Sequence, residues 1–297
     1  MTDGSNTVSI TDPSTPPQTN CAFLEKGGII FFPETPFLIS QKDREFLLRQ
    51  KQKEADYHKN IAYRPAENRV TGFDATSKED AESLHRIMQD FHGQVYKFLE
   101  AFLQPYTRGW KADFATFRPI EEKGRKMRLR ARNDLLHVDS FPTRPIYGDR
   151  ILRCFINLNP TRNRVWNTSD TFEQLLHTFR HDMPPPRTVS DKPKKPNAFS
   201  KVAKALGLKA ANTSGYDSWM LNFHNFLKEN AVFQANTRKD RWELPPNSSW
   251  IVFTDMVSHA VLEGQYAMEQ TFIVSKDDLV VPEKAPINLL RHTYGLK

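Results

Sequence analysis

The sequence predicts a mainly β fold braced by helices. Apolar residues recur at helical spacing in the N-terminal third. From about residue 110 the period changes to two, and many short strands follow. Helices first and short strands after suit a β-sandwich or barrel with helices packed on it.

Residues 1–20 are rich in Ser, Thr, Pro and Asn and read as a flexible tail. Gly28–Phe32 reads as a short buried strand. Ser40 with Asp43 three positions on marks a helix start, and Ser77 with Asp80 marks another. The second helix carries Leu84, Met88, Phe91, Val95, Phe98 and Phe102 on one stripe, so it should lie on a sheet. Strands are expected at Asp113–Phe117, Met127–Arg130, Leu135–Asp139 and Ile151–Leu158, with Val165-Trp166 as hairpin partner of the last. Residues 184–198 are rich in Pro and Lys and must be loop. Phe199, Val202, Ala203 and Leu206 then recur at helical spacing among lysines. That basic insertion, about 184–212, either rests on an anionic membrane surface or packs on the barrel. A helix containing Trp219–Leu227 follows, then strands at Ser249–Phe253 and Gln270–Val274. The whole reads as one domain, about 21–297, with helices at about 40–105 and a β core at about 110–275.

Apolar residues make up 38%, with 21 Phe and 5 Trp, enough to build a core. Lys and Arg number 42 against 35 Asp and Glu, a net charge of +7. This favours an anionic partner. The two cysteines, Cys21 and Cys154, lie far apart and support neither a disulfide framework nor a zinc ribbon. The N-terminus lacks the features of a signal peptide, and no apolar run reaches the length of a membrane span. The expected location is cytoplasmic, or peripheral on the cytoplasmic face of a membrane. No stacking platform accompanies the basic residues, so no nucleic-acid partner is expected. Gly-rich phosphate loops and Gly-x-Ser-x-Gly are absent.

His137-Val138-Asp139 is the one His-x-acid in the chain, and about one is expected by chance from 9 His and 35 acidic residues in 297. Placement gives it meaning, because residues i and i+2 of a strand share a face. Two imidazoles and one carboxylate bind iron(II) on one face and leave three positions open. His259, after the strand Trp250–Asp255, is the candidate third ligand. A surface His-x-Asp plus a core histidine is the plain alternative. His177 and His181 are four apart but lack the following Glu of a zinc helix, so an exposed helix face is the better reading. His224 reads as a packed or capping histidine rather than a ligand, with lining of the pocket as the alternative.

The stretch from His137 to Asn159 resembles the prolyl-hydroxylase-type branch of the 2-oxoglutarate oxygenases: His137/Asp139, then Arg150, then Asn157-Leu158-Asn159. Phe253-Thr254-Asp255 with Ser258-His259-Ala260-Val261 resembles its distal-histidine segment. Longer segments are similar to the Kdo hydroxylases, which act on lipid A bearing 3-deoxy-D-manno-octulosonic acid (Kdo). They are Arg153–Pro160, Arg164-Val165-Trp166, Leu221–Lys228 and Gly264–Phe272. The resemblance implies a double-stranded β-helix (jelly-roll, cupin-like) core. It also implies Fe(II), 2-oxoglutarate and O2, with ascorbate as a candidate reductant. The implied reaction hydroxylates carbon 3 of the Kdo sugar on Kdo-lipid A, giving D-glycero-D-talo-oct-2-ulosonic acid. A prolyl-type protein hydroxylase and a non-catalytic cupin-like metal or sugar-acid binder are the alternatives.

One departure bears on the cosubstrate. In the prolyl-hydroxylase branch an arginine shortly after the distal histidine grips the far carboxylate of 2-oxoglutarate, but Met268, Glu269 and Gln270 stand here. A buried dianion still needs a cation, ideally a bidentate arginine. Arg153 and Arg164 are the candidates, with Asn157 as amide donor and Trp166 beside Arg164 on its strand face. Arg130 is a rival.

Overall fold

The computed structural model describes residues 8–10, 15–52, 60–74, 76–186, 189–192 and 213–296. Strand β1 (Val8–Ile10) runs parallel to β2 (Ile29–Phe32), and helix α1 (Pro17–Glu25) lies between them in sequence. The tail expected over residues 1–20 is thus partly structured. Pro17 opens α1, where its missing N–H costs nothing, and Cys21 and Leu24 are buried against the core.

Ser40 caps α2 (Gln41–Leu48) by accepting from the Asp43 N–H, and Ser77 caps α3 (Lys78–Phe102) through the Asp80 N–H, as their spacing predicts. Helix α3 buries Leu84, Met88, Phe91 and Val95 along one face. They join a core with Ile61, Phe117, Leu152, Cys154, Ile156, Met268 and Phe272, so the helix does lie on a sheet.

The remaining strands are β3 (Ile61–Arg64), β4 (Arg69–Thr71), β5 (Lys111–Arg118), β6 (Arg150–Asn157), β7 (Arg164–Thr171), β8 (Asp240–Leu244), β9 (Ser249–Phe253), β10 (Val257–Glu263) and β11 (Ala267–Val274). The large sheet has the order β1-β2-β9-β6-β11-β5-β3-β4, and the small one β10-β7-β8. Strand β6 shows how the layers divide. Leu152, Cys154 and Ile156 face the helices, while Phe155 joins Trp250 and Val252 of β9 against Trp166, Val257 and Val261 of the small sheet. Alternation along one strand therefore serves two cores.

Several expectations are corrected. Val165-Trp166 is not the hairpin partner of β6: β7 pairs with β10 and β8, whereas β6 pairs with β11 and β9. The turn at Asn157–Asn163 carries the chain from one sheet to the other. Instead of the strand at Met127–Arg130, a 3-10 turn spans Leu129–Ala131. Leu135–Asp139 forms a single bridge, His137 opposite His259.

Helices α4 (Phe172–Phe179), α5 (Gly215–Glu229), α6 (Ala231–Asn236) and α7 (Pro286–Thr293) are the other α-helices among the described residues. His177 lies in α4, but His181 falls beyond its end, beside the Arg180 guanidinium at 3.0 Å. Most of the basic insertion, including the helix expected from Phe199, lies outside the described residues. No helix among the described residues is long and apolar enough to cross a membrane.

Candidate active site

His137 and His259 face each other across the bridge, joined by two backbone hydrogen bonds of 3.1 and 2.9 Å. Asp139 is tied to the turn after β9, its N–H donating to Thr254 O at 2.8 Å. Along β10, Val257, His259 and Val261 share the inward face, which explains why a polar side chain sits among core valines. The rings of His137 and His259 are 4.7 Å apart, and Trp166 stacks on His259 at 5.3 Å.

Each imidazole has one nitrogen committed. His137 Nδ1 lies 2.7 Å from Leu135 O, and His259 Nδ1 lies 2.9 Å from Val257 O. Both carbonyls require Nδ1–H, which leaves Nε2 unprotonated, the tautomer a metal needs. Burial, and then the nearby Lys228 ammonium, hold His137 well below its ordinary pKa. Burial also lowers His259, so both rings are neutral at pH 7. For Asp139 burial pushes the other way, but the Arg153 guanidinium outweighs it and the carboxyl stays well below the usual range. Its Oδ2 is buried and accepts no hydrogen bond from the described residues, although Arg153 Nη2 lies 3.2 Å away. Two neutral imidazoles and a buried, ionised carboxylate suit a divalent iron.

His224, read in the sequence as a packed or capping histidine with pocket lining as its alternative, is a fourth donor at the cavity. His224 of α5 places its ring 4.9 Å from that of His137, with Nδ1 on Val138 O at 2.8 Å. Ligand atoms of His137, Asp139 and His224 all lie within 4.8 Å of one another. Burial, then Lys228, brings His224 down to about 4.

The cavity over these residues is about 180 Å³ and is also lined by Arg118, Arg153, Arg164, Trp166 and Lys228. The three arginines come from β5, β6 and β7 and are held by buried carboxylates. Glu269 accepts from Arg118 at 2.9 Å and lies 3.5 Å from Arg153, while Arg164 lies 3.8 Å from Glu122. Burial alone would raise Glu269, but Arg118 and Arg153 bring it to about 2. The stretch that lacks an arginine thus supplies the carboxylate that orients two of them. Arg118 went unrecognised in the sequence. It shares a strand face with Thr116, opposite Glu269 in the ladder, and that parity was the available signal.

Two other expectations resolve differently. Asn157 does not line the cavity: its amide donates to Arg162 O and Leu244 O, each at 3.0 Å, and its oxygen accepts from the Asn159 N–H. It builds the crossing turn. The Arg130 side chain pairs with Glu229 on the surface at 2.6 Å and does not line the cavity. Beyond Asp139, Arg144 lies over Phe114 and Phe141 at 4.4 and 4.2 Å and pins the loop that closes one side.

A family model described as 3-deoxy-D-manno-oct-2-ulosonic acid (Kdo) hydroxylase matches residues 8–296. Solved structures of the Kdo hydroxylase KdoO, a non-heme Fe(II) α-ketoglutarate-dependent dioxygenase, share this fold. The apo form is 30% identical over 95% of this chain and 90% of that one, with a TM-score of 0.82. Its complex with α-ketoglutarate and Fe(III) is likewise 30% identical over the same shares, at 0.81. The cobalt(II) complex is 29% identical over 98% and 96%, at 0.84. No curated protein matches by sequence alone. With the jelly-roll sheets, the buried donors and a match along nearly its whole length, this chain belongs to the Kdo hydroxylase family.

Proposed function

We propose that this chain is an Fe(II)- and 2-oxoglutarate-dependent hydroxylase acting at carbon 3 of the Kdo sugar of Kdo-lipid A. The observation that carries the reading is the convergence of His137, Asp139 and His259 in a cavity lined by three arginines, Arg164 buried and Arg118 and Arg153 largely so. His137, Asp139 and His259 hold the iron. When bound with 2-oxoglutarate and O2, iron supplies oxidative decarboxylation to succinate and carbon dioxide and insertion of one oxygen as hydroxyl. The protein's part is geometry and dryness. The backbone bridge fixes the two imidazoles, and the carbonyls of Leu135 and Val257 set their tautomer. Arg118, Arg153 and Arg164 receive the far carboxylate of 2-oxoglutarate. Trp166 lines the cavity and holds the His259 ring by stacking. Lipid-linked substrate, with sites of carboxylate and phosphate, suits the net positive charge. The enzyme would then meet it at the cytoplasmic face of the inner membrane.

The test is succinate release with Fe(II), 2-oxoglutarate and Kdo-lipid A, together with mass spectrometry of the lipid A. A gain of one oxygen on the Kdo is expected, and an unchanged lipid A would sink the reading.

Two variants probe the cosubstrate side. Arg164→Ala should weaken 2-oxoglutarate binding by roughly tenfold or more, the range for losing a hydrogen bond to a charged group. An unchanged 2-oxoglutarate titration would remove Arg164 from the role. Gly264 has φ of 121°, and a Cβ there would come within 3.0 Å of Arg164 Cα. Gly264→Ala should therefore cost upwards of about 1 kcal/mol in stability and also displace Arg164. Chemical denaturation and the same titration check both effects together.

A further inference from the structure

Among the described residues, four cations line the cavity, and three already face carboxylates within 4.0 Å: Arg118 with Glu269, Arg153 with Asp139 and Glu269, and Arg164 with Glu122. Lys228 is the exception. It is only 4% exposed, and its Nζ donates to Arg130 O at 3.1 Å with no carboxylate inside ion-pair distance among the described residues. An ammonium has three donors, and burying one without a counter-charge is costly. Such a group is poised for an anion. Burial brings its pKa down to about 8, so it remains mainly charged at neutral pH.

Its position separates it from the arginines. They reach the cavity from β5, β6 and β7. Lys228 comes from α5, four residues and so one turn after His224, whose ring touches that of His137. Two anions can therefore be received in one cavity by cations on different elements. The arginines suit the far end of 2-oxoglutarate, which leaves Lys228 for the substrate. In a 3-deoxy-2-ulosonic acid the carboxylate carbon is bonded to carbon 2, and carbon 2 to carbon 3. Gripping that carboxylate fixes the carbon 3 hydrogens with only two intervening bonds.

We infer that Lys228 is a positioning residue that anchors the carboxylate of the sugar acid undergoing hydroxylation. The inference rests on the function proposed above, and its test reads binding without turnover. Protein loaded with Co(II) and 2-oxoglutarate is titrated with free Kdo by calorimetry. Lys228→Met should weaken Kdo binding by about tenfold or more, and Lys228→Arg should recover part of it. The 2-oxoglutarate affinity of the same variants should stay within about twofold of wild type, because the arginines are intact. Lys228→Gln serves if the methionine variant fails to fold. Equal Kdo affinity in wild type and Lys228→Met overturns the inference. So does a loss of 2-oxoglutarate affinity in place of Kdo affinity, or a wild-type complex that does not bind Kdo. Kdo binding through Lys228 with no succinate release from the Fe(II)-loaded enzyme would instead count against the proposed reaction.

Discussion

His259→Ala is expected to abolish Kdo hydroxylation and to lower metal affinity by about 100-fold or more, while His224→Ala keeps the metal. Losing even an outer partner of a ligand costs about 10- to 100-fold, so losing a ligand should cost at least the upper end. The contrast matters because four side chains converge. His137, Asp139 and His224 are tightly grouped, within 4.8 Å. Four protein ligands would leave an octahedral iron only two places, too few for bidentate 2-oxoglutarate and dioxygen together. One imidazole must stand outside, and the backbone ties of the other two favour His224. His137 and His259 are locked opposite each other by a pair of backbone hydrogen bonds, and Trp166 stacks on the second ring. His224 reaches in from a helix with a single carbonyl contact to Val138. Metal content, Co(II) titration and succinate release on both variants decide it, with circular dichroism to confirm folding. If His224→Ala loses the metal and His259→Ala retains it, the helix supplies the ligand and the sequence-based choice is wrong.

The fold was legible where local rules dominate. Ser40 and Ser77 announce their helices because a cap needs only its own turn. Alternation along β6 is plain because each face meets a different core. What local rules cannot show is which strands pair. Val165 and Trp166 follow β6 closely, so a hairpin was the economical reading, yet the Asn157–Asn163 turn crosses between sheets. Asn157 illustrates the same limit within the site. Strand parity put it on the face of Arg153, but it ends its strand, and its amide is used up in the crossing turn.

The cavity was legible in half. His137 and Asp139 stand out as a pair, and Arg153 and Arg164 were found because a dianion demands cations. Arg118, Glu269 and Glu122 were missed because a buried ion-pair network is tertiary: nothing near Glu269 in sequence says that two arginines will close on it. Lys228 and His224 share one helix face four residues apart, which was readable as a pair. What that face would meet was not.

Arg150→Met is expected to destabilise the protein by about 3–5 kcal/mol, the cost of breaking a buried ion pair from one side. Arg150 and Asp255 are both fully buried, with Nε donating to Oδ2 at 2.8 Å and Nη2 to Oδ1 at 3.3 Å. The guanidinium also lies over the Phe253 ring at 4.2 Å. Removing it leaves a carboxylate in the core, where burial already raises its pKa against the pull of Arg150. The double variant Arg150→Met with Asp255→Leu should recover more than half of the loss, since apolar pairs often replace buried ion pairs at little cost. Chemical denaturation of both variants checks this, and a double variant no more stable than the single one would refute it. The pair also bears on the metal. Asp255 lies in the turn whose Thr254 carbonyl accepts from the Asp139 N–H, and Thr254 N–H donates to Ile151 O beside Arg150. Loosening that turn loosens a ligand. Arg150→Met should therefore lose Co(II) affinity as well as stability, although its side chain is absent from the cavity wall. A variant that is unstable yet binds Co(II) as tightly as wild type would show that the bridge from His137 to His259 positions Asp139 without help from the turn.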